Sequence, residues 1–411
     1  MNFSTALLKS PGVWVVPMAL AVLVSRIQGT EESGEGYHTA VTLMNISSVT
    51  FIAPLVALSA AWEGTKLRYA RILTMPRSRS MLRILTAPMA VSVAPAALIL
   101  TLFTMFDGPA VGSADWLLIM SGVVTLTAWG LLGLGFGCVM PPVVSLPLAM
   151  LLPAVWLIFA RVYEPLWLRH LTGAWTGCCF TNQTIATEPL AAAVIFNLGV
   201  GLAGILLCWA ATLRLRRPNS IRGITFLTIC VLASITLVAA NLVKDFGYSP
   251  GVPRKDATIC DGLVPELCMW DEHELVRGEV RHTLDEAASA WNAAGVTMPE
   301  RFDEGVEVAA EGHVPLVIQG TAPSEYWLSS FAFAMTNRTC PDGVVMGEAQ
   351  GSSQDGLAAM GWLLVVAGED PADVLNESTP PAAEKLQELL ASGGDASLWV
   401  NSVIEQRDEC S

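Results

Sequence analysis

Charged side chains are scarce in this sequence, where Asp, Glu, Lys and Arg together make up 15% of 411 residues. An ordinary soluble domain carries about 25%. Basic residues are the minority among them, and a formal net charge of -14 excludes a general nucleic-acid binder, which needs a basic surface against phosphate. Hydrophobic residues take up 53% of the chain instead. This composition predicts a membrane protein.

The charges divide the chain into two parts. Residues 1–244 hold 15 basic and 8 acidic residues, whereas residues 245–411 hold 8 basic and 29 acidic residues. We therefore predict a transmembrane domain over 1–243 and a separate acidic domain over 248–411. A Pro/Gly linker, Pro250-Gly251-Val252-Pro253, opens the second part.

Seven apolar runs fill the first part, and most reach the ~20 residues that a helix needs to cross a bilayer. They span about 11–26, 40–62, 84–106, 116–138, 143–160, 190–212 and 221–242. The first resembles a signal peptide, but Val24-Ser25-Arg26 is no small-residue cleavage site, so we interpret it as an uncleaved span. The fold class predicted is a polytopic α-helical membrane protein with seven transmembrane helices.

The loops between these runs alternate in charge. The loop 63–83 has six basic residues against Glu63 alone, and the loop 213–223 has four basic residues and no acid. The loops 27–39 and 107–115 are acidic. Because basic loops stay in the cytoplasm, the N-terminus is predicted inside and the C-terminal domain outside. We expect a multi-pass protein of the plasma membrane.

Ionisable residues are absent from the interior of all seven runs. Ion-coupled carriers normally need such groups within the membrane, so this absence argues against a secondary transporter. Milder polar and small residues are present: Asn45, Ser47, Ser48, Asn197, Gly130, Gly133, Gly135 and Gly137. They indicate close helix packing, or else a polar wall along a substrate path.

The acidic C-terminal part predicts a mainly helical α+β extracytoplasmic domain. Apolar residues recur at three- and four-residue steps over 271–293 and predict a helix there. We expect further helices at 324–335, 354–367, 381–391 and 395–409, and a short strand at 314–318.

The nine cysteines fall into two groups. Cys138, Cys208 and Cys230 lie in apolar runs, where a thiol behaves as a small apolar group. The others lie in parts predicted to be outside, where disulfides are the default. We expect Cys260 to pair with Cys268 and Cys340 with Cys410, although six cysteines allow many other pairings. The adjacent Cys178 and Cys179 form a reactive or metal-binding pair, or one of them bonds to another cysteine; a structural role is more in keeping with outer cysteines.

Catalytic and metal-binding motifs are incomplete or absent. The histidines, all in outer parts, are His38, His170, His273, His282 and His313, and their spacing fits no zinc site. We expect surface histidines and no bound metal. His273-Glu274 begins like the H-E-x-x-H of a zinc protease, but Arg277 takes the place of the second histidine. The chain contains no phosphate-binding P-loop and no Gly-x-Ser-x-Gly motif. We expect no enzymatic activity and no cofactor in this chain.

Two connecting segments stand out. In the basic loop, residues 67–73 have the pattern of a short amphipathic helix that ends at Pro76 and docks into a cytoplasmic partner; the alternative is a plain basic loop that fixes the topology. Its candidate contact residues are Lys66, Leu67, Arg68, Arg71, Leu73, Arg77 and Arg79. The second segment, 161–189, is apolar and aromatic for an outer loop, so we expect it at the membrane interface or folded back into the bundle.

This layout resembles the permease subunit of ABC-2-type exporters. In that family a coupling helix joins spans two and three, where 63–83 lies here, and re-entrant helices join spans five and six, where 161–189 lies. The Arg169-to-Gly173 segment before Cys178-Cys179 and the Cys260…Cys268 module look like actinobacterial permease-like proteins with a C-terminal extracytoplasmic domain. The resemblance implies a separately encoded P-loop ATPase and a homo- or heterodimer of permeases in the lipid bilayer.

Two features depart from that family. A seventh run and an outer domain exceed a minimal permease, and the connection at Pro141-Pro142 is too short for a second coupling helix. A rival interpretation is therefore a membrane-anchored extracytoplasmic binding or sensing protein without transport activity. A weaker one is an outer protein that handles metal or haem.

Overall fold

The computed structural model describes residues 11–27, 37–72, 80–106, 115–175, 178–179, 183–213, 220–305, 312–318, 324–336, 354–392 and 396–406. They form two compact units, and the chain passes from the first to the second between Val252 and Pro253. We call these the N-terminal unit and the C-terminal unit. Tyr37 and Gln183 belong to the C-terminal unit.

The N-terminal unit is a helical bundle. Its helices are α1 Gly12–Ile27, α2 His38–Ser47, α3 Val49–Tyr69, α4 Met81–Phe106, α5 Trp116–Val139, α6 Pro142–Phe159, α7 Thr187–Leu213 and α8 Ser220–Val243. Local signals set several of these ends. The Asp115 carboxylate caps α5 by accepting hydrogen bonds from the amides of Leu117 and Leu118, and Pro142 occupies the first position of α6, where no amide hydrogen is needed.

Five helices of the described chain, α4 to α8, are long and apolar enough to cross a membrane. The helices α2 and α3 meet at an angle of 43° and together would make a sixth, broken span, where the sequence predicts one continuous run over 40–62. Helix α1 is apolar but has only 16 residues. The predicted helical membrane domain is thus matched by five or six candidate spans among the described residues.

Glycines let α5 lie directly against its neighbours. A Cβ on Gly133 would overlap the carbonyl oxygen of Ala57 in α3, and one on Gly137 would overlap that of Ala61. On α7, a Cβ on Gly204 would overlap the carbonyl oxygen of Leu131 in α5. Small residues permit this close approach of backbones in membrane bundles. The helix-packing interpretation of the α5 glycines therefore accounts for their positions.

The C-terminal unit combines a small sheet with several helices. Strands β3 Ile259–Cys260, β4 Glu266–Met269, β5 Arg301–Asp303 and β6 His313–Pro315 form one sheet in that order. Strands β1 Gln183–Ile185 and β2 Gly251–Pro253 form a separate pair, most of whose residues are counted with the N-terminal unit. Strand β3 is antiparallel to β4, whereas β4, β5 and β6 are parallel. The helices are α9 Arg277–Ala293, α10 Ser324–Thr336, α11 Gln354–Val366, α12 Pro371–Glu377, α13 Pro380–Ser392 and α14 Ala396–Gln406.

The predicted mainly helical α+β character of this unit is confirmed, with two local corrections. The helix expected over 271–293 is a 3₁₀ turn at Asp271–His273 followed by α9, which begins only at Arg277. The predicted strand at 314–318 is β6, His313–Pro315. Helix α9 provides the crossover that parallel neighbours β4 and β5 require, and Phe302 meets Phe331 edge to face in the core, with ring centroids 5.2 Å apart.

Candidate functional site

The chain folds back on the bundle after α6. We call Arg161–Trp175 the returning segment. It contains a 3₁₀ helix, Leu166–Leu171, and every residue from Arg169 to Trp175 is buried. Burial of an arginine and a histidine in a connection between two apolar helices is costly unless their polar atoms are paired. Their partners therefore define the site.

Arg169 joins the returning segment to the chain that leaves α8. Its Nη1 donates to the carbonyl oxygen of Tyr248 at 3.0 Å, and its guanidinium lies 3.7 Å from the centre of the Tyr248 ring. Its Nη2 donates to the carbonyl oxygen of Arg161, and Arg161 in turn donates to the hydroxyl of Thr50 in α3. The guanidinium groups thus connect α3, the returning segment and the residues after α8.

His170 makes the neighbouring contact. Its Nε2 lies 3.0 Å from the carbonyl oxygen of Gly247, and its ring meets Phe246 edge to face at 5.9 Å. Burial lowers the pKa of His170; the hydrogen bond to Gly247 opposes this shift, and the adjacent Arg169 charge adds to it. The neutral imidazole, with its proton on Nε2, is the form that this environment favours.

Polar residues of the spans reach the same segment. The side-chain amide of Asn197 in α7 lies 3.5 Å from the carbonyl oxygen of Leu171 and 2.9 Å from that of Ala193. Gly173 has φ +70°, and a Cβ there would come within 2.7 Å of the Thr125 hydroxyl in α5. The polar residues predicted to form a packing surface or a path wall thus include one, Asn197, that holds the returning segment.

The basic side chains Arg169 and His170 have backbone partners and no acidic partner among the described residues. Within the described chain neither Arg169 nor His170 forms an ion pair with a carboxylate; both donate to backbone carbonyl oxygens. The adjacent Cys178 and Cys179 follow the segment with their sulfurs at disulfide-bonding distance. The role of this cysteine pair stays a prediction.

The basic loop differs from the sequence-based prediction. Lys66, Leu67 and Arg68 are part of α3, which runs on to Tyr69, so the separate amphipathic helix expected from Leu67 onward is wrong over the described residues. Lys66 pairs with Glu63 at 2.7 Å. Arg71 has φ +54°, which is incompatible with a continuing helix. Leu73, Arg77 and Arg79 lie outside the described residues.

A second buried polar cluster lies in the C-terminal unit. His273 Nδ1 is 2.9 Å from both carboxylate oxygens of Glu304. Glu304 also accepts hydrogen bonds from the backbone amides of Trp270, at 2.8 Å, and Ile318, at 3.3 Å. The donors come from two stretches of chain, 270–273 and the residues after β6, and Glu304 itself lies on a third, directly after β5. The cluster therefore holds the 3₁₀ turn, the end of β5 and the residues after β6 together.

Arg254 lies between two aromatic rings, Tyr37 and Trp270. Its guanidinium carbon is 4.3 Å from the ring centres of both Tyr37 and Trp270, and its nitrogens pair with Glu272 at 2.8 Å and Asp256 at 2.6 Å. Burial alone would lower the pKa of Arg254, but the hydrogen bonds to Glu272 and Asp256 outweigh it and raise the pKa. The residue stays charged and anchors the first residues of the unit.

The cysteines of this unit fall partly outside the described residues. Cys260 and Cys268 pair across β3 and β4 with sulfurs at disulfide-bonding distance. Together with Glu266 they also form a cluster of the size that a metal needs, yet a sulfur in a disulfide cannot serve as a thiolate ligand. Cys340 and Cys410 lie outside the described residues.

The histidines correct the expectation of a purely surface set. His170 and His273 are each 1% exposed, whereas His282 is 73% exposed. Sequence spacing missed the His273 partner because Glu304 lies 31 residues away, beyond α9 and β5. No local signal marked Glu304, because the short strand that precedes it, β5, contains the charged residues Arg301 and Asp303.

Comparison with protein families gives one match. A family described as a domain of unknown function, DUF7224, matches residues 267–410. No curated protein and no solved structure matches the chain significantly. The matched range covers α9 to α14 and most of the sheet, and leaves the bundle outside.

Proposed function

We propose that the chain is the permease subunit of an ATP-driven exporter of ABC-2 type, paired with a separately encoded P-loop ATPase. One observation carries the proposal: the returning segment is buried against α7 and α8 and bonded to α3 through Arg161. A bundle that only anchors a domain needs no buried segment of this kind. ABC-2 permeases, which the layout resembles, have re-entrant helices at the corresponding place.

The proposed topology has seven spans, with the N-terminus in the cytoplasm and the C-terminal unit outside the plasma membrane. Helix α1 is the first span, and its buried residues Val15, Ala19 and Leu23 recur at four-residue steps as on a packed helix. The basic last turn of α3 then lies in the cytoplasm, as the positive-inside rule requires. Two copies, or a copy and a related permease, enclose the export path.

The proposal predicts a stable partner. Affinity purification of the full chain in mild detergent should bring down a P-loop ATPase in stoichiometric amount, identified by mass spectrometry. Changing Arg68, Arg71 and Leu73 together to Ala should remove the ATPase. A matched triple change in the other basic loop, Arg214, Leu215 and Arg216 to Ala, likewise removes two positive charges and one leucine and should leave the ATPase bound.

A second function is favoured by a different observation. The C-terminal unit has its own core and its own family match over 267–410, which suits an extracytoplasmic binding or sensing domain. Under that alternative no ATPase accompanies the protein, even after crosslinking in cells. That result would overturn the exporter proposal and make the C-terminal unit the place of function.

A further inference from the structure

An apolar pocket opens on the side of the bundle. It has a volume of about 310 Å³ and lies between α1, α3 and α6. Its walls include Trp14, Val15, Met18, Leu58, Trp62 and Leu146. The volume is at the lower end of the range of about 300–1,000 Å³ that small-molecule sites occupy in proteins.

The walls of the pocket are suited to a hydrocarbon ligand. Apart from the two indoles, Ser59 is the polar residue in its lining, and the Ser59 hydroxyl donates to Ser92 in α4 at 3.3 Å. Helix α1 also approaches α4 closely, because a Cβ on Gly12 would overlap the carbonyl oxygen of Val91. The walls offer a polar ligand only the two indole N–H groups and the Ser59 oxygen as hydrogen-bonding partners.

The position of the pocket fits a membrane interface. Trp62 lies two turns before the end of α3 at Tyr69, and Lys66 and Arg68 follow it. Trp14 is 73% exposed and Trp62 45% exposed, so both rings flank the opening toward the surroundings of the bundle. Tryptophans collect where hydrocarbon gives way to headgroups. The opening therefore faces lipid near one surface of the bilayer.

We propose that this pocket binds one acyl chain of a membrane phospholipid. The inference requires that α1, α3 and α6 lie in the bilayer, and it does not depend on export activity. Lipid tails surround these helices, and an unfilled apolar pocket would forfeit the dispersion contacts of its walls. A chain inserted between Trp14 and Trp62 restores those contacts while its headgroup stays at the level of the basic last turn of α3.

Photocrosslinking tests the site in the full chain. The protein is reconstituted into vesicles of phosphatidylethanolamine and phosphatidylglycerol with a trace of phosphatidylcholine that carries a diazirine on one acyl chain. After irradiation, mass spectrometry should place crosslinks on Met18, Leu58 and Leu146 above their share by exposure. Leu58→Trp fills the pocket and should lower them about tenfold, equivalent to about 1.4 kcal/mol of binding.

Controls separate a site from general lipid contact. Leu151→Trp makes the same change on α6 where the side chain is 59% exposed, and it should leave the pocket crosslinks unchanged. Leu146→Trp fills the pocket from α6 and serves if Leu58→Trp does not purify as a single species. Crosslinks that follow exposure alone, or that persist in both filled variants, would overturn the proposal. So would a disulfide between two copies at Met18→Cys with no lipid crosslink, which would make a second copy the occupant.

Discussion

His273 Nδ1 lies 2.9 Å from both carboxylate oxygens of Glu304, and each side chain is 1% exposed. The same carboxylate accepts the amide of Trp270. One acid therefore satisfies donors that would otherwise be buried without a partner. A buried donor left unsatisfied costs about 1–3 kcal/mol, so the stability of the C-terminal unit depends on this contact.

Glu304→Ala should lower the free energy of unfolding of the C-terminal unit by at least about 2 kcal/mol, because it leaves several buried donors unpaired. Glu286→Ala is the matched control: it removes a glutamate 3.5 Å from His282, in a pair more than 70% exposed. Such pairs contribute under about 1 kcal/mol. Hydrogen exchange of the β4 amides in the full chain measures the loss of stability in both variants. Equal protection in the two variants would contradict the assigned role of Glu304.

The packing of the returning segment should weaken in acid. The pKa of His170 is lowered in the folded chain, so the unfolded chain binds the proton more readily and acid favours unfolding. The contribution of His170 to stability is fully present above about pH 6.5, the ordinary pKa of histidine, and falls as the pH drops below that value. Hydrogen exchange of 166–175 across this pH range should show the loss, and His170→Asn should remove its pH dependence. If the protection of 166–175 in the unaltered chain did not change with pH, the prediction would be wrong.

Substituting alanine for the closely packed glycines of α5 should destabilise the bundle. Gly133→Ala and Gly137→Ala each place a Cβ on a backbone oxygen of α3, which cannot move aside without separating the helices. Overpacking of this kind costs about 1–3 kcal/mol. Gly223→Ala in α8 meets no atom within 4 Å and is the control. Thermal aggregation in detergent should start at lower temperature for the α5 variants only; tolerance equal to that of the control would refute the close packing.

The proposed orientation can be tested at Cys260. Its side chain is exposed in β3. In intact cells treated with a mild reductant, a membrane-impermeant maleimide should label the chain, and Cys260→Ser should lower the labelling. Labelling that needs cell lysis would place the C-terminal unit in the cytoplasm and reverse the topology.

Hydropathy predicts the bundle well because the cost of exposing backbone to lipid permits few alternatives. The run 84–106 corresponds to the candidate span Arg83–Phe106, and 221–242 corresponds to Gly223–Val243. The break between α2 and α3 was missed because an apolar run has the same composition whether it is straight or bent. Its polar residues Asn45, Ser47 and Ser48 lie at that bend and are buried.

The spacing of residues in the sequence could not predict the long-range polar contacts. Arg169 bonds to a residue 79 positions away, and His170 to one 77 positions away, so no local pattern indicates them. The late start of α9 was likewise missed: His273, which contacts Glu304, lies in a 3₁₀ turn before Arg277, although the apolar periodicity predicts a helix there. In contrast, Cys260 and Cys268 are close enough in sequence for a single turn to bring them together.

The contacts of Arg169 and His170 have a mechanical consequence. The two side chains form hydrogen bonds with the carbonyl oxygens of two consecutive residues, Tyr248 and Gly247, shortly after the end of α8 at Val243. Two adjacent attachment points resist twisting as well as pulling, as a single hinge would not. A load applied to the chain beyond Tyr248 is therefore shared with the returning segment and, through Arg161, with α3, and α8 does not bear it alone.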